Sequence, residues 1–218
     1  MAKRICYIVT DTPPFYMLWE SNISFKDNLT IEQKQQEITL LHNEFEDTFP
    51  GKRVLEISSK SLQYGGVDLS AFNLLKYVPS LKKHISVECI YQASKVFEND
   101  QQFIDLLDVT SKQAKKDLRI ATSGKVIRHE FEGKVYPSTP KTAFYNYLYI
   151  SALLENENKA DVLTKYDAFT DIEFNPVTGS NCQALASAIY VSLVRNSLIH
   201  CAQDWNLFLN QVYYEKGV

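Results

Sequence analysis

Two stretches in the C-terminal third constrain the fold more than any other feature. Thr142 to Leu154 is apolar and aromatic almost throughout, and Cys182 to Leu198 is dominated by small and large apolar residues. A helix without a continuous polar face must be enclosed by other structure. Neither stretch approaches the roughly 20 apolar residues that a membrane span requires. Both are therefore expected as buried helices inside a folded body. A chain of 218 residues can supply that body, because a domain of this size buries about 70% of its unfolded surface.

The elements around these helices read as follows. Ile5 to Thr10 is β-branched and apolar, a strand ended by Asp11-Thr12-Pro13-Pro14. Phe15 to Phe25 suggests a second strand. Thr30 suits a helix N-cap, and Ile31, Ile38, Leu41 and Phe45 then recur at helical spacing until Phe49-Pro50-Gly51. Val54 to Ser58 reads as a strand and Tyr64-Gly65-Gly66 as a turn. Ser86 caps a predicted helix running to about Phe97, and Phe103 to Leu107 is a short apolar run. Thr110 or Ser111 caps a basic helix ending near Arg119. Val126 to Tyr136 has the pattern of a hairpin turning at Glu132-Gly133. Tyr166 to Pro176 reads as an acidic, aromatic loop before a helix capped by Ser180 or Asn181, and Asp204 to Tyr214 as an amphipathic helix. The expected class is α+β, mainly helical, with a small N-terminal sheet and a short hairpin. Repeats, low-complexity segments and linkers are absent from the sequence.

Charge and cysteine usage narrow the function classes. The net charge is −3 with 22% charged residues, so no global basic field exists and any nucleic-acid contact must be local. The first residues lack the long apolar stretch of a signal peptide. The expected location is cytoplasmic, with Cys6, Cys89, Cys182 and Cys201 reduced. No two of these cysteines have CxxC spacing, and the four histidines are scattered, so no metal site is expected. The P-loop, GxGxxG, GxSxG and HExxH motifs are all missing, and no cofactor is implied.

Three polar constellations remain. On a helix beginning after Ser86, Glu88, Gln92 and Lys95 fall at i, i+4 and i+7 and share a face, opposite Val87, Ile90, Ala93 and Phe97. A solvated face would carry the same pattern. The alternative is a ligand-binding stripe, in which Gln reads an amide or base edge and Tyr91 stacks on a base. Lys112, Lys116 and Arg119 make a second stripe, with Lys115 one turn from Arg119. It is either a solvated basic face or a phosphate or pyrophosphate site. The third constellation alternates Asp167, Asp171, Glu173 and Asn175 with Tyr166, Phe169 and Phe174. The helix start near Asn181 could also receive an anion.

Together these segments resemble the NADAR family, the YbiA-like N-glycosidases. That family's Ser-Glu-x-x-Phe-Gln-Ala-x-Lys-Phe block is similar to Val87-Glu88-Cys89-Ile90-Tyr91-Gln92-Ala93-Ser94-Lys95-Val96-Phe97, with one extra residue before the last aromatic. Its Ala-Lys-x-x-Gly-Arg block is similar to Ala114-Lys115-Lys116-Asp117-Leu118-Arg119, with Leu118 in place of Gly. Ser58-Ser59-Lys60 and Leu69-Ser70-Ala71-Phe72-Asn73 echo its Ser-Asn-Phe element. Its Trp-Gly-Asp-Gly loop corresponds to Phe169-Thr170-Asp171-Ile172-Glu173-Phe174. The resemblance spans roughly Val54 to Leu198. It implies a catalytic domain over residues 54–218, with residues 1–53 as an N-terminal extension.

The resemblance implies hydrolysis of an N-glycosidic bond to ribose, with removal of ADP-ribose from guanine in nucleic acid as the leading expectation. The implied partners are an ADP-ribosylated nucleoside or nucleic acid and a DarT-type ADP-ribosyltransferase toxin. Breaking a ribose C–N bond develops positive charge on the sugar and requires protonation of the leaving base. Glu88 is the expected carboxylate beside the sugar. Lys95 is either a point charge or a nucleophile that forms a Schiff base. The expected binding residues are Gln92, Tyr91, Lys115, Arg119, Asn73, Phe169, Asp171, Glu173 and Asn181. Two other classes compete: a module that binds ADP-ribose without cleaving it, and an antitoxin that acts by binding the toxin directly.

Overall fold

In the computed structural model, which describes residues 4–23, 29–174 and 182–214, strands β1 (Ile5–Val9) and β2 (Tyr16–Glu20) form an antiparallel pair. Helix α1 (Ile31–Thr48) follows, opened by a capping box between Thr30 and Gln33. Strand β3 (Val54–Glu56) leads to α2 (Tyr64–Asp68), a one-turn helix where the sequence suggested only a turn. The glycine there answers to packing: a Cβ on Gly66 would stand 2.0 Å from the Glu56 carbonyl oxygen. The ribbon β4 (Leu75–Val78) and β5 (Lys83–Ser86) then delivers the chain to α3 (Val87–Ser94).

Strand β6 (Lys95–Phe97) continues directly from α3. Helices α4 (Ser111–Lys116) and α5 (Leu118–Thr122) come next, followed by the hairpin β7 (Val126–Phe131) and β8 (Lys134–Pro137). Its turn uses positive φ at Glu132 (49°) and Gly133 (70°), the geometry that matches strand twist. The remaining elements are α6 (Ala143–Leu154), α7 (Glu157–Ala160), β9 (Ala168–Thr170), α8 (Gln183–Arg195) and α9 (Trp205–Leu209).

Alternation along short strands sets the layering. The main sheet has the order β2-β1-β9-β3, with β1 antiparallel to β2 and β9, and β3 parallel to β9. Cys6, Ile8, Val54 and Ala168 point to one face, where they pack with Phe45 of α1. Tyr7, Val9, Leu55 and Phe169 point to the other face and join the larger core with α6 and α8. The expected enclosure of α6 and α8 is observed: Tyr149, Ile150, Ala186 and Val191 have no solvent exposure.

Several boundaries differ from the sequence reading, and three of them bear on the site. The helix after Ser86 ends at Ser94 rather than near Phe97, because Lys95 to Phe97 pair with β7 instead. The basic helix breaks at Asp117, whose side chain accepts from Arg119 N and caps α5. The expected loop from Tyr166 contains β9, a central strand bonded on both sides. The last long helix starts at Gln183 with Cys182 at its N-cap position and no side-chain cap bond, while Ser180 and Asn181 lie outside the described residues. Among the described residues, no helix is long and apolar enough to cross a membrane.

Candidate active site

Helix α3 places an acid, an amide and an amine in one hydrogen-bonded chain. Ser86 caps the helix by accepting from Cys89 N, which puts Glu88 in the first turn, where the helix dipole favours an anion. Gln92 lies one turn on and donates through Nε2 to Glu88 Oε1 at 2.8 Å. Its Oε1 accepts from Lys95 Nζ at 2.7 Å. Only one orientation of the Gln92 amide serves both neighbours, because Glu88 accepts and Lys95 donates. Lys95 is the C-cap residue with extended backbone (φ −68°, ψ 126°), yet its long side chain folds back over the last turn. Glu88 and Gln92 are only 4% and 7% exposed.

This chain opens into a cavity of about 710 Å³. Lys112, Lys115 and Lys116 of α4 line one side, and Lys34 and Lys60 also reach it. Phe72, Tyr91 and Tyr145 supply aromatic surface, and Asp171 and Glu173 add carboxyl groups just beyond β9. Six lysines, with Lys95, thus face three acids in a chain whose net charge is −3. Tyr91 is braced by Tyr145 at 5.0 Å and by His129 at 5.4 Å between ring centroids, and Lys95 Nζ lies 4.7 Å from its ring centre. A cavity of this size, concave and mixed in polarity, is a normal ligand site.

Burial dominates the electrostatics. It lowers the Lys95 amine to about 8, with Glu88 opposing the shift and Lys115 assisting it. His129, stacked on Phe144 and in contact with Ser94 Oγ, is lowered to about 3 by burial and by the Lys95 charge. The Asp171 carboxyl, half-buried in the cavity wall, is raised to about 8 by desolvation and by neighbouring Glu56. Glu56, 1% exposed, is raised by burial although Thr170, Ile172 and Ser58 donate to it. Perturbed acids and amines that converge on a cavity mark a candidate reaction centre. Among the described residues, no group of three or more His, Cys, Asp or Glu could hold a metal ion.

Glu88, Gln92, Lys95, Tyr91, Lys115, Asp171 and Glu173 all line the cavity. Arg119 does not. The break at Asp117 rotates it away, and its guanidinium binds Asp105 at 2.7 Å and Asp117 at 2.8 Å beside the Phe103 ring. Asn73 is exposed outside the cavity, its Nδ2 donating to Val67 O. Phe169 has no exposure and packs in the core beneath the sheet, so it has no face for a ligand. Asn181 lies outside the described residues.

The cavity also holds residues that the sequence reading passed over. Lys34 comes from α1 and pairs with Glu173 at 2.8 Å, a contact across 139 positions that no local pattern reveals. Tyr145 sits in the apolar run of α6, where nothing distinguishes it from the core tyrosines around it. Gln183 opens α8 and accepts from Ala71 N at 2.6 Å. It is the first polar side chain in an apolar helix, and that isolation was its available signal.

A family model described as DarT1-associated NADAR antitoxin (NADAR-DarT1) matches residues 2–217. No curated protein matches the chain.

Proposed function

This chain belongs to the DarT1-associated NADAR antitoxin family, and we propose that it works as an N-glycosidase that removes ADP-ribose from guanine in nucleic acid. The observation that carries this reading is the Glu88–Gln92–Lys95 chain at the wall of a nucleotide-sized cavity. Enclosing an acid and an amine in one cavity wall, bridged only by an amide, is costly unless both are used.

Hydrolysis adds water across the ribose C–N bond. Glu88 lies beside the anomeric carbon, stabilises the cationic sugar and takes a proton from the attacking water. The C–N bond breaks, and its electron pair leaves with the base. Asp171, raised to about 8, is protonated near neutrality and gives its proton to the departing nitrogen. Proton exchange with solvent then restores both acids. Lys112, Lys115 and Lys116 hold the diphosphate, Gln92 orients the ribose, and Tyr91 stacks on a ring.

One observation favours a second route. The Lys95 amine, lowered to about 8, has a reactive neutral fraction at neutral pH. It could attack the anomeric carbon, expel the base and form an imine with the opened sugar. Water would then release ADP-ribose and regenerate the amine. Borohydride added during turnover distinguishes the routes: a covalent adduct on Lys95 supports the imine, and its absence under active turnover removes it.

The principal test uses single-stranded DNA carrying ADP-ribosylated guanine. Free ADP-ribose is expected from the wild type and not from Glu88→Gln. Saturable binding without release would identify a binding module instead. A stable complex with the toxin that protects in the absence of any release, and survives Glu88→Gln, would identify a protein-binding antitoxin.

A further inference from the structure

The alternation that layers the sheet also puts a second acid behind the first. Thr170 and Glu56 are register partners in the parallel pair β9–β3, and both belong to the face covered by α1. From α1, His42 Nε2 meets Thr170 Oγ1 at 2.9 Å. Thr170 Oγ1 in turn donates to Glu56 Oε2 at 2.6 Å. Since the single hydroxyl proton is committed to Glu56, His42 must be the donor, with its proton on Nε2. Ile172 N donates to Glu56 Oε1 at 2.8 Å. The next residue after Thr170 is Asp171, which alternation turns to the opposite side, into the cavity.

Both carboxyls are raised by burial, and the Glu56 charge raises Asp171 further, so the pair favours one negative charge over two. Their donors differ. Glu56 receives the Thr170 hydroxyl and the Ile172 amide, and Ser58 adds a third bond. Asp171 receives Glu173 N at 3.1 Å and a long contact from Cys182 Sγ at 3.8 Å. The other groups facing Asp171 are Lys115 from α4, Tyr145 and Tyr149 from α6, Tyr7 from β1 and Glu173 from its own segment. The tyrosines and Cys182 stay neutral because burial pushes them up. On the cavity side, Lys115 favours a charged Asp171 and Glu173 opposes it, while Glu173 is itself paired with Lys34 at 2.8 Å, so the hydrogen-bond donors are what distinguish the two acids.

We propose that Glu56 is a positioning residue: with Thr170 and His42 behind it, it holds the pair's negative charge away from the cavity and leaves the transferable proton on Asp171. This rests on the reading of Asp171 as the proton donor to the leaving base. The role of Glu56 is indirect, since the sheet separates it from any ligand.

The test compares wild type, Thr170→Val, Thr170→Ser and Glu56→Gln in two measurements. One is the pH profile of kcat/KM on ADP-ribosylated single-stranded DNA. The other is the carboxyl-carbon NMR titration of Asp171 in protein labelled at aspartate, which needs no turnover. In wild type the Asp171 titration and the alkaline limb of the profile should coincide. Thr170→Val removes a donor from Glu56 and should move both down by about one pH unit or more, while Thr170→Ser leaves them in place. Glu56→Gln removes the repelling charge and should move them the same way. An Asp171 titration unchanged in Thr170→Val and Glu56→Gln, with only melting temperature or overall rate altered, would overturn the proposal. A shifted titration in a protein that never releases ADP-ribose would support the charge assignment and overturn only the glycosidase reading.

Discussion

Helix α3 and the α4–α5 segment carry the same polar spacing, and the fold treats them differently. Glu88, Gln92 and Lys95 stand at i, i+4 and i+7, as do Lys112, Lys116 and Arg119. Each helix stops before its third residue, at Ser94 in one case and Lys116 in the other. Lys95 is nevertheless kept in place, because β6 leaves the helix beside its last turn and Gln92 accepts from its amine. Arg119 is lost to the site, because Asp117 restarts the chain as a new helix and binds the guanidinium itself. A stripe survives a helix break when the flexible side chain still has its partner in reach. It fails when the breaking residue offers a nearer one.

The sharpest way to break that contrast is to remove the α3 chain. Glu88→Gln keeps the shape and the Gln92 contact but loses the charge, and Lys95→Ala loses the amine. Each is expected to lower kcat by about 10²-fold or more, the usual range for a lost acid–base or charge-stabilising group. Release of ADP-ribose at wild-type rates by either variant would take that residue out of the mechanism.

The basic side of the cavity should respond more mildly. Lys115→Ala and Lys116→Ala are expected to raise KM by about tenfold each, the scale of one charge-assisted contact, with kcat nearly unchanged. Both effects should shrink as salt rises. Equal losses in kcat and kcat/KM would instead place these lysines at the reacting centre.

What the sequence made legible follows the range of the interactions. Capping at Thr30, Ser86 and Thr110 and the hairpin at Glu132-Gly133 depend on neighbours within a few residues, and the enclosure of α6 and α8 was announced by their own apolar composition; all of these stand in the structure. The Glu88–Gln92 contact spans one helical turn and was equally readable. β9 was hidden, because its two strand partners lie more than 100 residues upstream, and among acids and aromatics three residues look like a loop. The same strand took Phe169 out of the site and placed Asp171 in it. Lys34 reaches the cavity, and His42 and Glu56 come to lie behind Asp171, only through long-range packing, so nothing local marked them.

The buried acids also make a stability prediction with a definite sign. Asp171 titrates at about 8 in the folded chain, above the ordinary carboxyl value, so the folded state binds more protons than the unfolded one between those limits. Stability from this group is therefore present at low pH and lost as pH rises towards 8. His42 and His129, lowered to about 4 and about 3, act oppositely, since the unfolded chain binds their protons more readily. Their effect is confined to pH below about 6.5, the ordinary histidine value. Just above pH 6.5 Asp171 dominates, and unfolding free energy should fall by up to about 1.4 kcal/mol per pH unit for one proton; nearer pH 8 Lys95, lowered to about 8, begins to lose its proton in the folded chain first and opposes the decline. Denaturant titrations of Asp171→Asn should show a flatter decline and a protein without glycosidase activity. An identical decline in the variant would show that Asp171 does not carry the proton.

The smallest expected effect completes the contrast from the other side. Arg119 is an exposed arginine held by Asp105 and Asp117, and its guanidinium lies 4.6 Å from the centre of the Phe103 ring. Removing it deletes surface ion pairs, which contribute little in water, and leaves two aspartates that solvent can reach. Arg119→Ala should therefore change kcat/KM by less than about twofold, with a salt dependence matching that of the wild type. Asp117→Ala examines the same point through the backbone. Without the cap, the break between α4 and α5 loses its stabilising bond to Arg119 N, and Arg119 is freed from one of its two acids. If α4 then extends, the guanidinium returns to the face of Lys112 and Lys116 and should lower KM. A large loss of activity in Arg119→Ala, with Asp117→Ala neutral, would mean that Arg119 serves the ligand despite its place outside the cavity, and the distinction between the two stripes would collapse.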